Sequence, residues 1–228
     1  MKDGIETKDL TVTECEKDLG VYIDSELSFS EHIKNTVKKA RNLCYMLMRS
    51  ISYKCPDIML PLFKTLIRPI LEYGNAVWCP YKAKDIDYIE DVQRYFTKRI
   101  IGLSNMSYED RLRNLKLPSL CYRRLRGDMI EVFKITHDIY DSQITKQLFK
   151  FADSNTRNNG YKIVKITTNT SAYQHFFTNR VVNCWNSLPC QVVSVDTLNA
   201  FKNTLDRHFS AFIYDVRVGC NVVMSMRA

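Results

Sequence analysis

The spacing of apolar residues divides the chain into a short β-rich start and a long helical remainder. Residues 19–23 alternate and are rich in β-branched and aromatic side chains, which is typical of a strand. With residues 10–13 and a polar connection over residues 14–17, they predict a two-stranded hairpin within residues 8–23. A lone hairpin is marginal in water, so it either packs on the helices or ends a larger sheet.

Helical periodicity begins at Ser30 and predicts three helices over residues 30–103. Ser30 is the candidate N-cap, and Pro56 marks the start of the second helix. Pro69 is expected to kink or restart that helix, and the third helix covers about residues 82–101. The predicted inward residues are Ile33, Val37, Ala40, Cys44, Leu47 and Ile51, then Ile58, Leu62, Leu66 and Ile67, then Ile86, Ile89, Val92, Phe96 and Ile100.

A second helical unit is predicted downstream of the bundle. Ser107 is expected to cap a short helix, with Asp110 completing a variant of the capping box. A longer helix then runs from Pro118 to about Tyr140. Its predicted inward stripe consists of Tyr122, Leu125, Met129, Val132, Phe133 and Thr136.

The last third of the chain mixes polar, alternating and helical segments. Residues 152–160 are polar and turn-rich, which indicates a boundary. Residues 161–168 alternate like a strand, and two helices are predicted over residues 176–185 and 196–209. Asp196 is the candidate N-cap of the last helix.

Together these patterns predict a mainly α protein. It has a short N-terminal β-hairpin, a three-helix bundle and a second helical unit with one short strand. The predicted segments are a hairpin over residues 1–29, the bundle over 30–103, a helical segment over 104–151, a polar linker and short strand over 152–172, C-terminal helices over 173–212 and a tail over 213–228.

Charge and cysteine content narrow the class of partner and the compartment. The 33 Lys and Arg residues against 25 Asp and Glu give a net charge of +8, which favours nucleic acid or an anionic membrane surface, although a merely basic protein also fits. The eight cysteines are scattered, and the start is not a signal peptide. No apolar run reaches the ~18 residues of a membrane span. We therefore expect an intracellular protein, cytoplasmic or nuclear and not secreted, with no membrane partner.

Basic residues recur on the predicted helices at spacings that suit a phosphate-binding surface. On the first helix they follow helical steps with a tyrosine among them, which fits phosphate tracking with a stacking residue. The candidate nucleic-acid-binding residues are Lys34, Lys38, Arg41, Tyr45 and Arg49, then Arg94, Lys98 and Arg99, and finally Arg123, Arg124 and Arg126 in the densest basic cluster.

Each of these basic groups also has a purely structural interpretation. The first stripe fits an ordinary solvated face, and Lys98 and Arg99 suit the negative end of a helix dipole. Arg124 lies one turn before Asp128, so the two can form an internal ion pair. These alternatives stay open on the sequence alone.

Acidic pairs and cysteines give little support for a metal site. The neighbours in Glu90–Asp91 and in Glu109–Asp110 diverge by about 100° on a helix, so both pairs predict solvated charge. Cys184 and Cys190 are spaced more widely than the cysteine pairs of structural zinc sites. The aromatic turn over residues 78–81 is expected to pack rather than to bind.

Ordered motifs along about residues 10–210 resemble a known family. The chain is similar to the reverse transcriptases of non-LTR retrotransposons, of the jockey-like and chicken-repeat-like kind. The order and spacing of several stretches make the resemblance specific. These stretches are Glu16–Val21, Leu62–Gly74, Trp78–Tyr81, Ile89–Arg94, Tyr108–Leu112, Arg123–Ile130 and Phe177–Pro189.

The resemblance implies a role for each part of the chain. The hairpin would be a remnant of the polymerase palm, with Leu19, Gly20 and Val21 at the palm end that contacts the primer. Residues 30–103 would be the thumb. The implied partner is an RNA/DNA duplex bound without regard to sequence, with no small-molecule substrate.

The family's catalytic turn, in which an aromatic residue precedes x-Asp-Asp, has no match, because no two aspartates are adjacent in this chain. Two-metal phosphoryl transfer needs carboxylates that hold Mg²⁺. The parent enzyme would use Mg²⁺, but we expect this chain to hold no cofactor and not to be an enzyme on its own. The predicted function is a fragment of an RNA-directed DNA polymerase that holds the template–primer. The alternative is a repurposed helical protein-interaction module without a nucleic-acid role.

Overall fold

A computed structural model describes residues 13–145, 147–152 and 160–216, and these are mainly α-helical with a short N-terminal hairpin, which confirms the predicted fold class. The strands are β1 (Cys15–Asp18) and β2 (Val21–Asp24). The helices are α1 (Ser30–Ser50), α2 (Pro56–Leu62), a π-helical segment (Phe63–Ile67), α3 (Arg68–Glu72), α4 (Ala83–Lys98), α5 (Tyr108–Asn114), α6 (Leu120–Thr136), α7 (Ser142–Thr145), α8 (Ser171–His175), α9 (Phe177–Arg180), α10 (Val182–Ser187), α11 (Cys190–Val193), α12 (Leu198–His208) and a 3-10 turn (Ser210–Phe212).

A two-residue turn at Leu19 and Gly20 closes the hairpin. Their φ angles of 43° and 88° are both positive, as a type I′ turn requires. The polar residues 14–17, predicted as the connection, belong mostly to β1, because the turn and not the apolar alternation sets the register. Residues 10–12, predicted as part of the first strand, lie outside the described residues. β2 packs on α1, so the hairpin rests on the helices.

Asp24 holds the connection between the hairpin and α1. Its carboxylate accepts hydrogen bonds from the backbone N–H groups of Ser28 (2.9 Å) and Phe29 (2.7 Å). Phe29 is the N-cap of α1, with a φ of 55° and no side-chain capping bond, so the prediction of Ser30 was wrong. The predicted apolar stripe of α1 is confirmed for its buried members Ile33, Val37, Ala40, Cys44 and Leu47.

The second predicted helix begins at Pro56 as expected, but a π-helical segment over residues 63–67 changes its register. Because a π turn takes up extra residues, the buried positions recur every four residues. The prediction that Ile58 and Leu66 face inward was wrong, since they are 44% and 42% exposed. Pro69 lies in the first turn of α3, where it restarts the helix. The buried face consists of Met59, Phe63, Ile67 and Leu71.

Packing of α4 against α1 completes the three-helix bundle. Ile89, Val92 and Phe96 of α4 are fully buried as predicted, whereas Ile86 is half-buried. They join the apolar faces of α1, α2 and α3 in a first hydrophobic core.

Hydroxyl side chains cap the N-termini of α5 and α12. The Ser107 hydroxyl accepts the backbone N–H of Asp110 at 3.2 Å and donates to its carboxylate at 2.6 Å, as predicted. Thr197 caps α12 by accepting the N–H of Ala200 at 3.2 Å, so the prediction of Asp196 was wrong by one residue. Each hydroxyl satisfies an N–H group that a helix start leaves without an intrahelical partner.

α6 lies between two hydrophobic cores. Its first residue, Leu120, belongs to the core of the bundle, whereas Met129 and Phe133 belong to a second core formed with α9 to α12. The Ser119 hydroxyl caps α6 by accepting the N–H of Tyr122 at 3.1 Å. A helix that packs against apolar partners on two sides has little polar surface. The prediction of a single inward-facing stripe for this helix was therefore incomplete.

The chain after α6 is less regular than predicted. The strand predicted over residues 161–168 is reduced, among the described residues, to one antiparallel bridge between Phe151 and Ile163. Asn186 instead binds the N–H and C=O groups of Ile163 at 3.0 and 2.7 Å, as a partner strand would. The helix predicted over residues 176–185 is divided between α9 and α10. The remaining predicted segments fall partly on residues 153–159 and 217–228, outside the described residues.

Both tryptophans are buried and serve packing. The Trp78 indole N–H donates to the carbonyl of Tyr73 at 2.6 Å, which agrees with the expectation for the turn over residues 78–81. The Trp185 indole N–H donates to the carbonyl of Tyr161 at 2.8 Å. Within the described parts of the chain, no helix combines the length and apolarity needed to cross a membrane.

Candidate functional site

The basic stripe of α1 borders α4, and aromatic contacts join the two helices. The rings of Tyr45 and Tyr95 meet edge to face, with centroids 5.1 Å apart and planes at 82°. The Arg41 guanidinium lies over the ring of Tyr88, 4.7 Å from its centroid. These contacts place basic residues of both helices on one surface, here called the α1–α4 basic face. It consists of Lys34, Lys38, Arg41, Tyr45 and Arg49 from α1 and Arg94, Lys98 and Arg99 from the end of α4.

Arg99 is fixed on the α1–α4 basic face by Tyr95. Its guanidinium lies 3.3 Å from the Tyr95 ring centroid and donates to the Tyr95 carbonyl at 3.1 Å. Tyr45 is 46% exposed, so its ring is partly available beside this pair. Proteins that bind single strands or strand ends combine aromatic rings, on which bases stack, with cations that contact the phosphates.

Some cations of the α1–α4 basic face are neutralised and others are not. Arg41 and Arg94 both pair with Asp91, the former at 3.9 Å, and Lys34 pairs with Glu31 at 3.7 Å. The exposed side chains that form no ion pair with another described residue are Lys38, Arg49, Lys98 and Arg99. The α1–α4 basic face therefore retains unpaired positive charges that can contact a polyanion.

Arg123, Arg124 and Arg126 do not join this face. Arg123 forms a bidentate ion pair with Glu72 of α3, in which Nη2 lies 2.8 Å from Oε2. Arg126 pairs with Asp206 of α12 at 2.5 and 2.8 Å. These two arginines connect α6 to its neighbours, as the structural interpretation of the cluster proposed.

Arg124 is buried, with 5% of its surface exposed, and it does not pair with Asp128 as the alternative proposed. Asp128 instead binds Arg180 of α9 through two contacts of 2.9 Å. Arg180 also donates to the carbonyl of Asn75 at 3.0 Å. The sequence could not show this partner, because Asp128 and Arg180 are far apart along the chain.

Glu90 is buried, so the prediction of a solvated charge was wrong for this residue. It has 0% exposure and accepts a 2.6 Å hydrogen bond from the Tyr108 hydroxyl. It also accepts the backbone N–H groups of Leu120 and Cys121, both at 3.2 Å, at the start of α6. Burial raises the pKa of Glu90, while these donors and Arg124 act in the opposite direction. Glu109 and Asp110 are exposed and pair with Arg113, so the prediction of solvated charge is confirmed there.

The predicted primer-contacting residues lie at the tip and base of the hairpin turn. Leu19 is 83% exposed, and its carbonyl accepts a 2.9 Å hydrogen bond from the Tyr73 hydroxyl. A Cβ on Gly20 would lie 3.4 Å from the Tyr73 ring, so the turn rests against this ring. Val21 is buried in the first core. The turn is accessible, and its role at a primer stays a prediction.

A cavity that sequence reasoning missed lies beside α6. It has a volume of 480 Å³ and is lined by α6, the aromatic turn, Ile86 of α4, residues 165–168 and the helices α8 to α10. Its lining comes from segments distant in sequence, and Arg124, Asp128, Lys165 and Arg180 are its charged residues. Two lining residues, Tyr81 and His175, stack their rings with centroids 4.0 Å apart.

Metal-ligating residues do not cluster in the described residues, where no group of three or more His, Cys, Asp or Glu side chains is placed to hold a metal. Cys184 is buried and Cys190 is exposed. None of the seven cysteines within the described ranges forms a disulfide.

Comparison with known proteins adds one relative. The chain is 25% identical, over 129 residues, to a Caenorhabditis elegans protein described as "Uncharacterized protein B0403.1". The match covers 55% of this chain and 63% of the relative, so the chain spans less than two thirds of that protein's length. No family model matches the chain. No solved structure matches it either.

Proposed function

We propose that this chain is the duplex-holding part of a reverse-transcriptase-like protein, which grips an RNA/DNA template–primer through its phosphates. The observation that carries the proposal is the α1–α4 basic face, where Tyr95 contacts both Tyr45 of α1 and Arg99 at the end of α4. The resemblance to non-LTR reverse transcriptases gives this face a natural ligand, because the same residues fall in the thumb-like segment.

The chemistry of the face favours binding without sequence readout. Lys38, Arg49 and Lys98 are long, exposed cations that reach a phosphate backbone but present no fixed pattern to base edges. Counterion release on contact with phosphates makes such binding steeply dependent on salt. Tyr45 supplies a ring on which a terminal base can stack.

The proposal assigns no bond-making step to this chain. Its sequence has no adjacent aspartates, and Glu90 and Asp91 are engaged in capping α6 and in pairing with Arg41 and Arg94. With Mg²⁺, nucleotides and a primed RNA template, we expect no primer extension by the purified chain. Extension would refute this part of the proposal.

A charge-matched pair of triple variants tests the binding surface. The first, Lys38→Gln with Arg49→Gln and Lys98→Gln, removes three cations of the α1–α4 basic face. The second, Lys116→Gln with Lys162→Gln and Arg207→Gln, removes three exposed cations elsewhere, so the net charge of the two variants is the same. Affinity for a labelled RNA–DNA hybrid is measured by anisotropy between about 50 and 200 mM salt.

We expect the face variant to lose roughly three units of salt slope and the control variant to keep the slope of the unmodified chain. Equal effects of the two variants would mean that only net charge matters and would overturn the proposal. A chain without measurable affinity for the hybrid would also overturn it and would favour the alternative of a helical protein-interaction module.

A further inference from the structure

The cavity beside α6 has the size and the mixed lining of a small-molecule site. Pockets for small ligands generally measure about 300–1,000 Å³, and this one measures 480 Å³. Leu125 and Met129 of α6 and Val181, between α9 and α10, form part of an apolar wall. The charged residues lie on the same cavity, so a ligand inside meets both kinds of surface.

Arg124 is the unusual residue of this lining. It is 5% exposed, yet it forms no ion pair with any residue in the described part of the chain. Its Nη2 atom is buried and lacks a hydrogen-bond partner there. A buried guanidinium with an unused donor is costly, because water no longer solvates it and no acceptor replaces the water.

The nearest carboxylates are already occupied by other donors. Both oxygens of Asp128 bind Arg180 at 2.9 Å. Glu90 accepts the Tyr108 hydroxyl and the N–H groups of α6, and it is not part of the cavity lining. Asp128 and Glu90 attract Arg124 through space but do not hydrogen-bond to it.

The charge balance of the cavity is positive. Arg180 and Asp128 neutralise each other as a buried pair. Arg124 and the exposed Lys165 remain. The other titratable lining groups are the phenol of Tyr81, the ring of His175 that is stacked on it, and three cysteine thiols. Burial raises the pKa of Cys121 and Cys184 to about 12, so these thiols add no negative charge near neutral pH.

We propose that this cavity binds a small organic carboxylate, whose acid group pairs with Arg124 and whose apolar body lies along Leu125, Met129 and Val181. The planar guanidinium suits a carboxylate, to which it can donate two parallel hydrogen bonds. Lys165 adds attraction at the cavity without being buried. The site is separate from the α1–α4 basic face and does not depend on the proposed nucleic-acid role.

Calorimetric titration of the full chain with octanoate and with 1-octanol tests the proposal. The two probes share an apolar body and differ in charge, so the ratio of their affinities isolates the contribution of the carboxylate. We expect one octanoate per chain, bound at least about tenfold more tightly than octanol, which corresponds to about 1.4 kcal/mol.

Two variants and one control locate the site. Arg124→Met keeps the side-chain volume and removes the charge. The affinity of this variant for octanoate should therefore fall to its affinity for octanol. Ile166→Trp, at a lining position that is 43% exposed, should fill part of the cavity and weaken both probes without disturbing the fold. Arg113→Met removes an exposed arginine of α5 and should change neither affinity.

Three results would overturn the inference. The first is no saturable octanoate binding by the folded chain. The second is equal affinity for octanoate and octanol, which would leave an apolar cavity without anion recognition. The third is undiminished octanoate binding by Ile166→Trp, with folding of this variant checked by its circular dichroism spectrum and thermal midpoint.

Discussion

The Tyr108 hydroxyl donates a 2.6 Å hydrogen bond to the carboxylate of Glu90, in an interior where Glu90 has no exposed surface. Burial raises the pKa of Tyr108, and the neighbouring Glu90 carboxylate adds to the shift. The same carboxylate accepts two N–H groups at the start of α6. One acidic side chain of α4 therefore ties α5 and α6 to the three-helix bundle.

Glu90→Gln should destabilise the fold by about 2 kcal/mol. The amide keeps one acceptor, but its NH2 group replaces either Oε1, which accepts the N–H of Leu120, or Oε2, which accepts the N–H of Cys121. In either orientation one buried N–H group loses its partner. Urea unfolding followed by circular dichroism gives the change in the free energy of unfolding. As a control, Asp91→Asn alters the neighbouring, partly exposed acid and should shift stability by less than about 1 kcal/mol. Equal stability of Glu90→Gln and the unmodified chain would contradict the capping role.

His32 should make stability depend on pH. Burial, with a smaller effect of Lys39, lowers its pKa from 6.5 to about 4. Its ring packs on Trp78 with centroids 4.6 Å apart, Nδ1 accepts the N–H of Tyr22 at 3.3 Å, and Nε2 contacts the Thr36 hydroxyl at 3.4 Å.

Because the unfolded chain binds this proton more readily, the contribution of His32 is complete above pH 6.5 and is lost as the pH falls towards 4, by up to about 3 kcal/mol. Unfolding free energies at several pH values should show this loss in the unmodified chain and a smaller loss in His32→Gln. The half-buried His175 serves as the control, since His175→Gln should retain the full pH dependence. Parallel curves for all three proteins would rule out His32 as the cause.

The ion pair between Asp128 and Arg180 should be strongly coupled. Asp128 is buried and the Arg180 side chain is only 12% exposed, so removing one partner leaves an uncompensated charge, and Arg180→Met should cost about 3–5 kcal/mol. The double variant Arg180→Met with Asp128→Leu should be less destabilised than the sum of the single variants. A double-mutant cycle from urea unfolding measures this coupling. Additive effects would mean that the pair contributes no interaction of its own.

The hairpin turn should respond in opposite directions to two substitutions. Gly20 has a φ of 88°, so Gly20→Ala should cost about 1 kcal/mol in backbone strain. Leu19 has a φ of 43° and is 83% exposed, so Leu19→Asn should stabilise the turn by about 0.5 kcal/mol, because Asn-Gly favours type I′ turns. Thermal midpoints of the two variants should move apart, and a shift in the same direction would argue against this turn type.

Local patterns predicted much of the bundle. Steps of three and four located the buried stripes of α1 and α4, and Pro56 located the start of α2. The wrong predictions concern segments whose backbone geometry does not follow from local sequence patterns. In α2 the buried face passes through Met59 and not Ile58, and the π-helical segment keeps buried positions four residues apart as far as Leu71. A two-residue turn displaced the predicted strand.

The candidate sites were predictable to different degrees. The stripe on α1 follows from helical spacing, so its residues could be named in advance. Whether Arg126 faces solvent or Asp206 depends on long-range packing, and so does the enclosure of Arg124. The cavity is assembled from segments distant in sequence, and composition gives no indication of it.

The position of α6 between two cores has a consequence for the way the molecule opens. Its side chains are buried on both sides, and its N-terminal amides bind Glu90 and Ser119. Neither half of the chain can detach without exposing this helix to water. In hydrogen–deuterium exchange, the backbone amide hydrogens in the middle of α6 should therefore exchange only when the whole molecule unfolds. Their exchange rate should equal that of the amide hydrogens of α1 and α4.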